Sequence, residues 1–366
     1  MTWEFWLSAA LALLALWLLW RFRVRRLARQ ALGDPSAARA STRDTASDAN
    51  QEVLRLVADF GRQTRSVPAR QRLAALREGM DTFAVGESRR PDELGVRVQE
   101  ANVDGVSAEW VLAPDADPNR RMLYLHGGAF FVGSPLSHRP LTAELAKRTG
   151  LSVLVIDYRL MPESKRLDGI VDCHTAYLWI LRNGPGTPGA PTHLFVAGDS
   201  AGGNLTLMMT AWIRNQQLRQ VDGAVALSPA TDSTFGSPSL RGNVPTDAML
   251  GPGLGRLMKL PTWALLGLTG FAARMSPRNP LISPLHGDLS NLPPTLVQAS
   301  ESEMLFDDAR RYVQKAQRQG SPVMLQTWPG MVHVWQIFHH VLPEANEALD
   351  GIAKFIGNCQ AFLAEP

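Results

Sequence analysis

The stretch HLFVAGDSAGGNLTLMMTAW, residues 193–212, joins a β-branched and aromatic run to a helical run through one short turn. The turn has the form Gly-x-Ser-x-Gly, with Ser200 at its centre and Gly198 and Gly202 on either side. Only small neighbours fit such a sharp strand-to-helix turn, which makes the serine hydroxyl project outward. Asp199 lies inside the motif and is expected to support it. The stretch therefore predicts a strand, a projecting serine and a helix whose positive dipole end faces that serine.

The alternation of strand and helix extends over most of the chain from about residue 95. Short β-branched runs predict strands at 96–98, 108–111, 122–125, 153–156, 194–197, 224–227, 295–298 and 324–327. Helical spacing predicts helices at 140–148, 169–182, 203–218 and 304–319. Alternating strands and helices form a mostly parallel sheet covered on both faces, and the first strands are free to form an antiparallel edge. The predicted fold class is therefore α/β.

A serine hydroxyl is a poor nucleophile until a base removes its proton, so Ser200 needs a histidine and an acid that orients it. His333 lies in a loop just beyond a predicted strand and before the last helices, and it is the candidate base. The hypothesis does not need the histidines of helix-like or proline-flanked segments, which are His138, His174, His286, His339 and His340.

The candidate acid comes from the segment that follows the predicted strand at 295–298. Four carboxylates compete there: Glu301, Glu303, Asp307 and Asp308. The two aspartates stand in the first turn of a predicted helix, where acidic residues already have a role at the helix N-terminus. Glu303 lies in the loop at the carboxyl end of the strand and is therefore preferred. The resulting chain order is serine, acid, histidine, which is the order of α/β-hydrolases.

The reaction also needs hydrogen-bond donors for the negative oxygen of a tetrahedral intermediate. The glycines of His126-Gly127-Gly128-Ala129 follow a strand, and they let the backbone turn its N–H groups inward. We therefore predict Gly127 and Gly128 as donors, together with the N–H of Ala201 directly after the nucleophile. His126 is expected to brace this loop and not to carry a proton. No metal or cofactor is required.

The chain resembles the hormone-sensitive-lipase-like branch of the α/β-hydrolases, and within it the group of bacterial esterases, acetyl-hydrolases and monoterpene-lactone hydrolases. The matching motifs occur in order along the chain: HGGAF at 126–130, DYRLMPE at 157–163, GDSAGG at 198–203, SPATD at 228–232, NPLISPL at 279–285, LPPTLVQ at 292–298, ExLxDD at 303–308 and WPGMVHVW at 328–335. The resemblance implies an α/β-hydrolase fold with a helical cap. It also implies Ser200 as nucleophile, Glu303 as acid and His333 as base.

Two segments differ from the pattern of that branch. After DYRLMPE it usually continues with a His-Pro-Phe-Pro-Ala-like stretch, whereas this chain has SKRLD at 164–168. Ala230 stands in SPATD where a tryptophan is common. Both segments lie near the substrate pocket in that branch, so the differences concern the substrate and leave the triad unchanged.

The N-terminus has the composition of a membrane anchor. From residue 5 to residue 20 the only residue that is not apolar is Ser8, and residues 2–20 are just long enough to cross a bilayer as a helix. A cleaved secretory signal is the main alternative, but its positive charges should precede the apolar run. Here five arginines follow it, at 21, 23, 25, 26 and 29. The positive-inside rule then places a single-pass anchor with the folded domain on the cytoplasmic side.

The expected organisation is an anchor with a basic flank at 1–29, a linker at 30–50 and an α/β-hydrolase domain at 51–366. Helical spacing within 51–86 predicts two helices, which are assigned to the cap. The segment 240–278 is apolar and rich in glycine, and it interrupts the strand-helix alternation. Two interpretations stay open for it: a buried helical insertion, or a cap element above the site.

Charge and cysteine content exclude other classes of protein. The net charge of +3 comes from the N-terminus, since residues 1–29 carry +4 and the rest of the chain carries −1. A domain without a clustered basic surface gives little support to nucleic-acid binding. The cysteines, Cys173 and Cys359, form no redox or zinc motif, and two free buried thiols are favoured over one long-range disulfide.

Three functions are compatible with these residues. The preferred one is a membrane-anchored serine carboxylester hydrolase acting on short- to medium-chain, lipophilic esters. A lactone hydrolase would use the same triad. A non-catalytic ligand-binding protein of the same fold is the alternative from another class, but such proteins typically lose a triad member. The expected partners are a small-molecule ester or lactone and the lipid bilayer.

Overall fold

The computed structural model describes residues 46–82 and 90–364. The predicted membrane span at residues 2–20 lies outside the described residues, as does most of the predicted linker. Within the two described ranges, no helix is both long and apolar enough to cross a bilayer. The anchor and the domain boundaries therefore stay predictions.

A single twisted sheet of eight strands forms the centre of the described chain. Its strands are β1 Arg97–Val103, β2 Val106–Leu112, β3 Asp117–Leu125, β4 Leu151–Ile156, β5 His193–Asp199, β6 Gly223–Leu227, β7 Thr295–Ser300 and β8 Val323–Trp328. Their order across the sheet is β1-β2-β4-β3-β5-β6-β7-β8. β1 pairs with β2 and β2 with β4 in antiparallel fashion, and all other pairs are parallel. The predicted α/β class, the eight strands and the antiparallel edge are confirmed.

The described residues also form ten α-helices. These are α1 Ala49–Ser66, α2 Arg72–Thr82, α3 Pro135–Thr149, α4 Arg166–Ile180, α5 Ala201–Asn215, α6 Ser239–Gly242, α7 Gly251–Leu254, α8 Thr262–Ala273, α9 Phe306–Arg318 and α10 Pro343–Ala364. The four helices predicted between the later strands correspond to α3, α4, α5 and α9. The two helices predicted within 51–86 correspond to α1 and α2.

Strand β3 shows why the sheet carries helices on both faces. Successive side chains of a strand point to opposite faces. Leu123 and Leu125 pack in a cluster with residues of α4 and α5, whereas Met122 and Tyr124 pack in a cluster with residues of α3 and α10. Since both sets are fully buried, the strand needs a helical layer on each side.

The two cysteines lie in these two different clusters. Cys173 belongs to α4 and packs on one face of the sheet, and Cys359 belongs to α10 and packs on the other. Both are buried and free, as predicted. The sheet between them accounts for the absence of a disulfide.

Of the two interpretations left open for the segment 240–278, a buried helical insertion does not describe all of it. It forms the helices α6, α7 and α8, but in α8 only Leu265 and Ala273 are buried. Trp263 is 77% exposed and Phe271 is 87% exposed. The interpretation as a buried insertion is therefore wrong for α8, because in the described chain the other ten of its twelve residues are exposed or only half-buried.

Candidate active site

Ser200 occupies the sharp turn between β5 and α5. Its φ of 52° and ψ of −114° lie in a region that side chains rarely adopt. The neighbouring glycines make the turn possible: a Cβ on Gly202 would lie 1.8 Å from the carbonyl oxygen of Leu125, and one on Gly198 would lie 2.4 Å from the same atom. The backbone of β3 therefore approaches the turn too closely for a side chain at position 198 or 202.

The structure brings together the three predicted triad residues. His333 Nε2 lies 2.9 Å from Ser200 Oγ, and His333 Nδ1 lies 2.5 Å from Glu303 Oε2. The three residues follow β5, β7 and β8, whose carboxyl ends meet at the same edge of the sheet because these strands are parallel. The arrangement is a continuous hydrogen-bonded chain from a carboxylate through an imidazole to a hydroxyl.

The acid of this chain is fully buried and held in place. Glu303 has no exposed surface, and its Oε1 accepts a hydrogen bond from the backbone N–H of Ser300 at 2.9 Å. Burial alone would lower the pKa of His333, but the hydrogen bond and the charge of Glu303 outweigh it, so the pKa of His333 lies above its ordinary value. The carboxylate thus favours the protonated imidazole that forms when the serine is deprotonated.

The competing acids have other partners. Glu301 accepts a hydrogen bond from Thr327 at 2.9 Å. Asp308 accepts from the backbone N–H groups of Thr231 and Asp232, at 2.7 and 2.9 Å. Asp307 accepts from the backbone N–H of Ser239 at 3.0 Å. The two aspartates therefore hold the segment after β6, which is a different role from the stabilisation of their own helix that the sequence suggested.

The loop after β3 requires a correction to the predicted oxyanion donors. The backbone N–H of Gly127 donates to Asp199 Oδ1 at 3.0 Å, so it is already engaged. No described residue accepts a hydrogen bond from the N–H of Gly128, Ala129 or Ala201. The available donors are thus those three, with Ala129 in place of Gly127. Positive φ values of 116° at Gly128 and 55° at Ala129 reverse the chain at this point.

Asp199 connects this loop to the serine turn. Besides the Gly127 N–H, its carboxylate accepts from the Tyr124 hydroxyl at 2.8 Å and lies 3.3 Å from Nε2 of His138. Burial raises the pKa of Asp199, but His138 and the hydrogen bonds outweigh burial and hold the pKa below its ordinary value. Sequence reasoning assigned support to Asp199 but missed Tyr124 and His138. No local pattern could have found them, because the last five residues of β3 are all buried and do not alternate.

His126 has the contacts of the predicted brace. Its Nδ1 lies 2.8 Å from the carbonyl oxygen of Gly127, so this nitrogen carries the proton. The ring stacks on Tyr158 at a centroid distance of 4.3 Å, and the Tyr158 hydroxyl donates to the His126 carbonyl at 2.7 Å. Burial, together with the neighbouring His138, lowers the pKa of His126 to about 3, so the ring stays neutral at physiological pH.

A buried cation lies beneath the same loop, in the segment that departs from the family pattern. Arg166 is 4% exposed, its guanidinium carbon lies 3.6 Å from the centre of the Phe130 ring, and its Nη2 donates to Asn204 Oδ1 at 3.0 Å. Burial lowers the pKa of Arg166 to about 10, which leaves it charged at neutral pH. Among the described residues no carboxylate pairs with it. Arg166 thus ties the loop after β3 to helix α5, a contact that the sequence did not predict.

Segments outside the sheet brace the site from two sides. Asn243 donates to the carbonyl oxygens of Glu301 and Glu303, and Asp247 accepts from the backbone N–H of Met304 at 2.8 Å. The insertion 240–278 therefore holds the loop that carries the acid. On the other side, Arg77 of α2 donates to the carbonyl oxygen of Phe131 at 2.8 Å and stabilises the loop after β3.

Helix α1 packs against the loop that carries the histidine. Val53 and Val57 are buried in a cluster with Met331 and Val332. Asn50 donates to the carbonyl oxygen of Gly330 at 2.9 Å. In the described ranges, no three His, Cys, Asp or Glu side chains are grouped so as to hold a metal ion.

Comparison with known proteins places this geometry in a family. The model of a family described as having the alpha/beta hydrolase fold matches residues 122–337, which contain all three triad residues. The chain belongs to the α/β-hydrolase family. Its relatives and structural neighbours place this α/β-hydrolase in the hormone-sensitive-lipase-like branch.

The relatives that resemble this α/β-hydrolase are named as ester-cleaving enzymes. An acetyl-hydrolase of Streptomyces hygroscopicus is 34% identical over 83% of the chain and 95% of the relative. An esterase of Acinetobacter venetianus is 34% identical over 72% of the chain and 83% of the relative. A carboxylesterase/phospholipase of Mycobacterium tuberculosis is 32% identical over 74% of the chain and 72% of the relative.

Solved structures agree with these relatives. The crystal structure of an esterase from the bacterial hormone-sensitive lipase family superimposes with a TM-score of 0.70 at 28% identity, covering 85% of this chain and 97% of that one. That of an esterase/lipase from an uncultured bacterium gives 0.72 at 30% identity, over 86% and 100%. Together with the hydrogen-bonded chain of Ser200, His333 and Glu303, this kinship makes the α/β-hydrolase a carboxylic ester hydrolase.

Proposed function

We propose that this chain is a membrane-anchored serine esterase that cleaves short- to medium-chain, lipophilic esters through an acyl-enzyme. One observation carries the chemistry: His333 lies 2.9 Å from Ser200 and 2.5 Å from Glu303, with backbone N–H groups available beside them. Names of relatives, among them an acetyl-hydrolase and an esterase, support the choice of esters as substrates.

In the first half of the reaction, the Ser200 oxygen attacks the ester carbonyl carbon while His333 Nε2 accepts the hydroxyl proton. The carbonyl double bond opens to an oxyanion in a tetrahedral intermediate. The intermediate then collapses, the bond to the alcohol oxygen breaks, and His333 returns the proton to the leaving alcohol. Glu303 accepts from Nδ1 throughout, which keeps Nε2 directed at the serine.

The oxyanion receives hydrogen bonds from the N–H groups of Gly128, Ala129 and Ala201. Asp199 holds the preceding residue, and Arg166 holds the following one through the Phe130 ring, so the donors are in place before the charge develops. Such preorganised donors typically contribute about 10²- to 10³-fold each to kcat. In the second half, water attacks the acyl carbonyl carbon while His333 Nε2 accepts one of its protons. The bond between Ser200 Oγ and the acyl carbon then breaks, His333 returns the proton to Ser200 Oγ, and the carboxylic acid leaves.

Covalent labelling tests the nucleophile. A fluorophosphonate probe should label the folded chain but not Ser200→Ala. The Ser233→Ala variant is the control and should be labelled at the native rate, because the Ser233 hydroxyl donates to the carbonyl oxygen of Ile282 at 3.0 Å and not to a histidine. Labelled peptides should contain residue 200. Absence of labelling in the folded chain would overturn the hydrolase, and a panel of p-nitrophenyl esters of increasing acyl length, with lactones alongside, would then define the substrate range of an active enzyme.

The proposed anchor is residues 2–20, with the domain on the cytoplasmic side. Ser47 already belongs to the folded domain, because it donates to Glu344 through its backbone N–H at 2.8 Å and through its hydroxyl at 2.9 Å. The anchor can therefore be removed just before this residue. A chain that begins at residue 46 should therefore keep ester hydrolysis and lose its attachment to phosphatidylcholine vesicles. Retained attachment would refute the anchor, and a carboxyl-terminal reporter detected outside the cytoplasm would refute the orientation.

A further inference from the structure

Helix α8 exposes several large apolar side chains to solvent. The segment LPTWALLGLTGFAA, residues 260–273, contains no charged residue. Its exposed large side chains are Leu260, Trp263, Leu268 and Phe271. Trp263 and Leu268 are five positions apart, and Leu268 and Phe271 are three positions apart. At 3.6 residues per turn these three side chains lie within about 140° of the helix circumference, on its outer half. Large apolar side chains exposed together on one helix indicate an interaction site.

The length and composition of α8 restrict what it can contact. A helix that is apolar on all sides is normally either buried in a core or embedded in a membrane. Leu265 and Ala273 are buried against the protein, whereas the other ten residues are exposed or only half-buried among the described residues. Its 12 residues give a length of about 18 Å, well short of the roughly 30 Å of a bilayer core. A helix of these properties fits the interfacial layer of a membrane, lying flat.

Charges around α8 identify the kind of surface that it fits. Residues 248–287 contain no aspartate or glutamate. Four exposed basic residues flank the helix on both sides: Arg256, Lys259, Arg274 and Arg278. None of them forms an ion pair with any residue that the structure describes. Basic groups beside an apolar surface complement anionic lipid headgroups, each contributing about fivefold to binding near the membrane surface.

From this combination we infer that α8 docks at the surface of an anionic bilayer, with Trp263 and Phe271 inserted at the level of the headgroups. A second copy of the chain is a poorer occupant, because a symmetric contact would bring four positive charges of one copy against four of the other. The inference goes beyond the proposed function and does not depend on the anchor, since it concerns a different segment.

Docking through α8 would bring the insertion 240–278 to the membrane surface. The insertion that carries α8 also carries Asn243 and Asp247, which hold the loop of the catalytic acid. Docking would therefore hold the insertion, and with it this loop, against the membrane in which a lipophilic ester dissolves. The docking surface is therefore expected to favour membrane-dissolved substrates over soluble ones.

A fluorescent probe of local polarity tests the docking directly. Ala272 is exposed on α8, and Ala272→Cys leaves Trp263 and Phe271 intact. The native cysteines are buried and will not compete for an NBD label. Lys354→Cys is the matched control, because it is exposed on α10, which covers the opposite face of the sheet. Each labelled full-length chain is added to vesicles of phosphatidylcholine alone and to vesicles of phosphatidylcholine mixed with phosphatidylglycerol. Both samples have the same total lipid concentration, which saturates the signal of the anionic sample.

We expect the probe at 272 to shift to the blue, and to be quenched by brominated lipid, in anionic vesicles, with the probe at 354 unchanged. The double variant Arg274→Glu/Arg278→Glu should weaken this response at least tenfold, and Trp263→Ser/Phe271→Ser should abolish it, while circular dichroism reports that the fold is retained. Flotation of the same samples reports attachment of the whole chain.

Three results would overturn the docking. A chain that floats with anionic vesicles while the probe at 272 stays aqueous would leave the anchor proposal standing and remove this one. If the probe at 272 reports an apolar environment without vesicles, and its emission depends on protein concentration, a second copy of the chain covers α8. If the probe at 272 reports an apolar environment without vesicles at every protein concentration, the chain itself covers α8.

Discussion

Helices α5 and α8 have similar apolar sequences and opposite surroundings. In α5, 11 of 15 residues are buried, and they pack between the sheet and the neighbouring helices. In α8, which carries no charge at all, only 2 of 12 residues are buried. The difference shows that an apolar sequence predicts that a helix avoids water but does not identify what covers the helix. The protein core covers α5 and, in our proposal, a lipid surface covers α8.

The largest effect is expected at the site that α5 supports. Glu303→Gln should lower kcat by about 10³- to 10⁴-fold, because a neutral amide neither stabilises the imidazolium nor selects the productive tautomer of His333. The same change removes the charge that raises the pKa of His333 and leaves the opposing effect of burial. Activity requires the neutral imidazole, so the acidic limb of the kcat/KM profile should lie above about pH 6.5 in the native enzyme and move to lower pH in the variant.

Glu301→Gln is the matched control for that substitution, because Glu301 lies two residues away and contacts Thr327. Its kcat and pH profile should stay close to those of the native enzyme. Equal losses in both variants would mean that the acid loop as a whole, and not the carboxylate of Glu303, supports the reaction.

A smaller loss of kcat is expected from a change at Asp199, which connects the serine turn to the loop after β3. Asp199→Ala leaves the Gly127 N–H and the Tyr124 hydroxyl without their acceptor, so the oxyanion donors next to Gly127 lose their fixed position. We expect kcat to fall by about 10²-fold, with a smaller change in KM. Asp199→Asn keeps one acceptor oxygen and should lose less. A native kcat in Asp199→Ala, measured under saturating ester, would contradict the role given to this carboxylate.

The two helices themselves differ in what they contribute to folding. Leu205 in α5 is fully buried, so Leu205→Ala should lower the free energy of unfolding by about 2–5 kcal/mol through lost burial and a cavity. Chemical denaturation of the full chain in detergent checks this value. A loss below about 1 kcal/mol would indicate that α5 is less tightly packed than the structure shows.

The same substitution in α8 should have the smallest effect. Leu268 is 53% exposed, so Leu268→Ala should change the free energy of unfolding by less than about 0.5 kcal/mol. If it costs as much as Leu205→Ala in the same denaturation experiment, α8 is covered within the folded chain and the contrast between the two helices disappears.

The sequence predicted the parts of the fold that depend on local pattern. The strand-helix alternation located all eight strands, and the Gly-x-Ser-x-Gly turn located Ser200, because only that turn demands glycine on both sides of a serine. The chain order of strands placed Glu303 and His333 at the same sheet edge.

What the sequence did not predict depends on contacts between distant segments. Both Gly127 and Ala129 belong to the predicted loop, but only the three-dimensional position of Asp199 shows that the Gly127 N–H is engaged. In the same way, Arg166 has no local pattern that distinguishes a buried cation over Phe130 from a surface arginine. The exposure of α8 was also missed, because apolar composition alone favours burial.

The backbone of Ser200 has a further consequence for how this chain can evolve. A φ of 52° combined with a ψ of −114° is easy for glycine and costs any other residue about 1–3 kcal/mol. A lineage selected for durability alone would therefore drift towards glycine at position 200, and the chain would become harder to unfold as it lost its reaction. Replacement of Ser200 by glycine would relieve the backbone strain and remove the nucleophile at the same time. Only a requirement for the reaction therefore favours serine at this position.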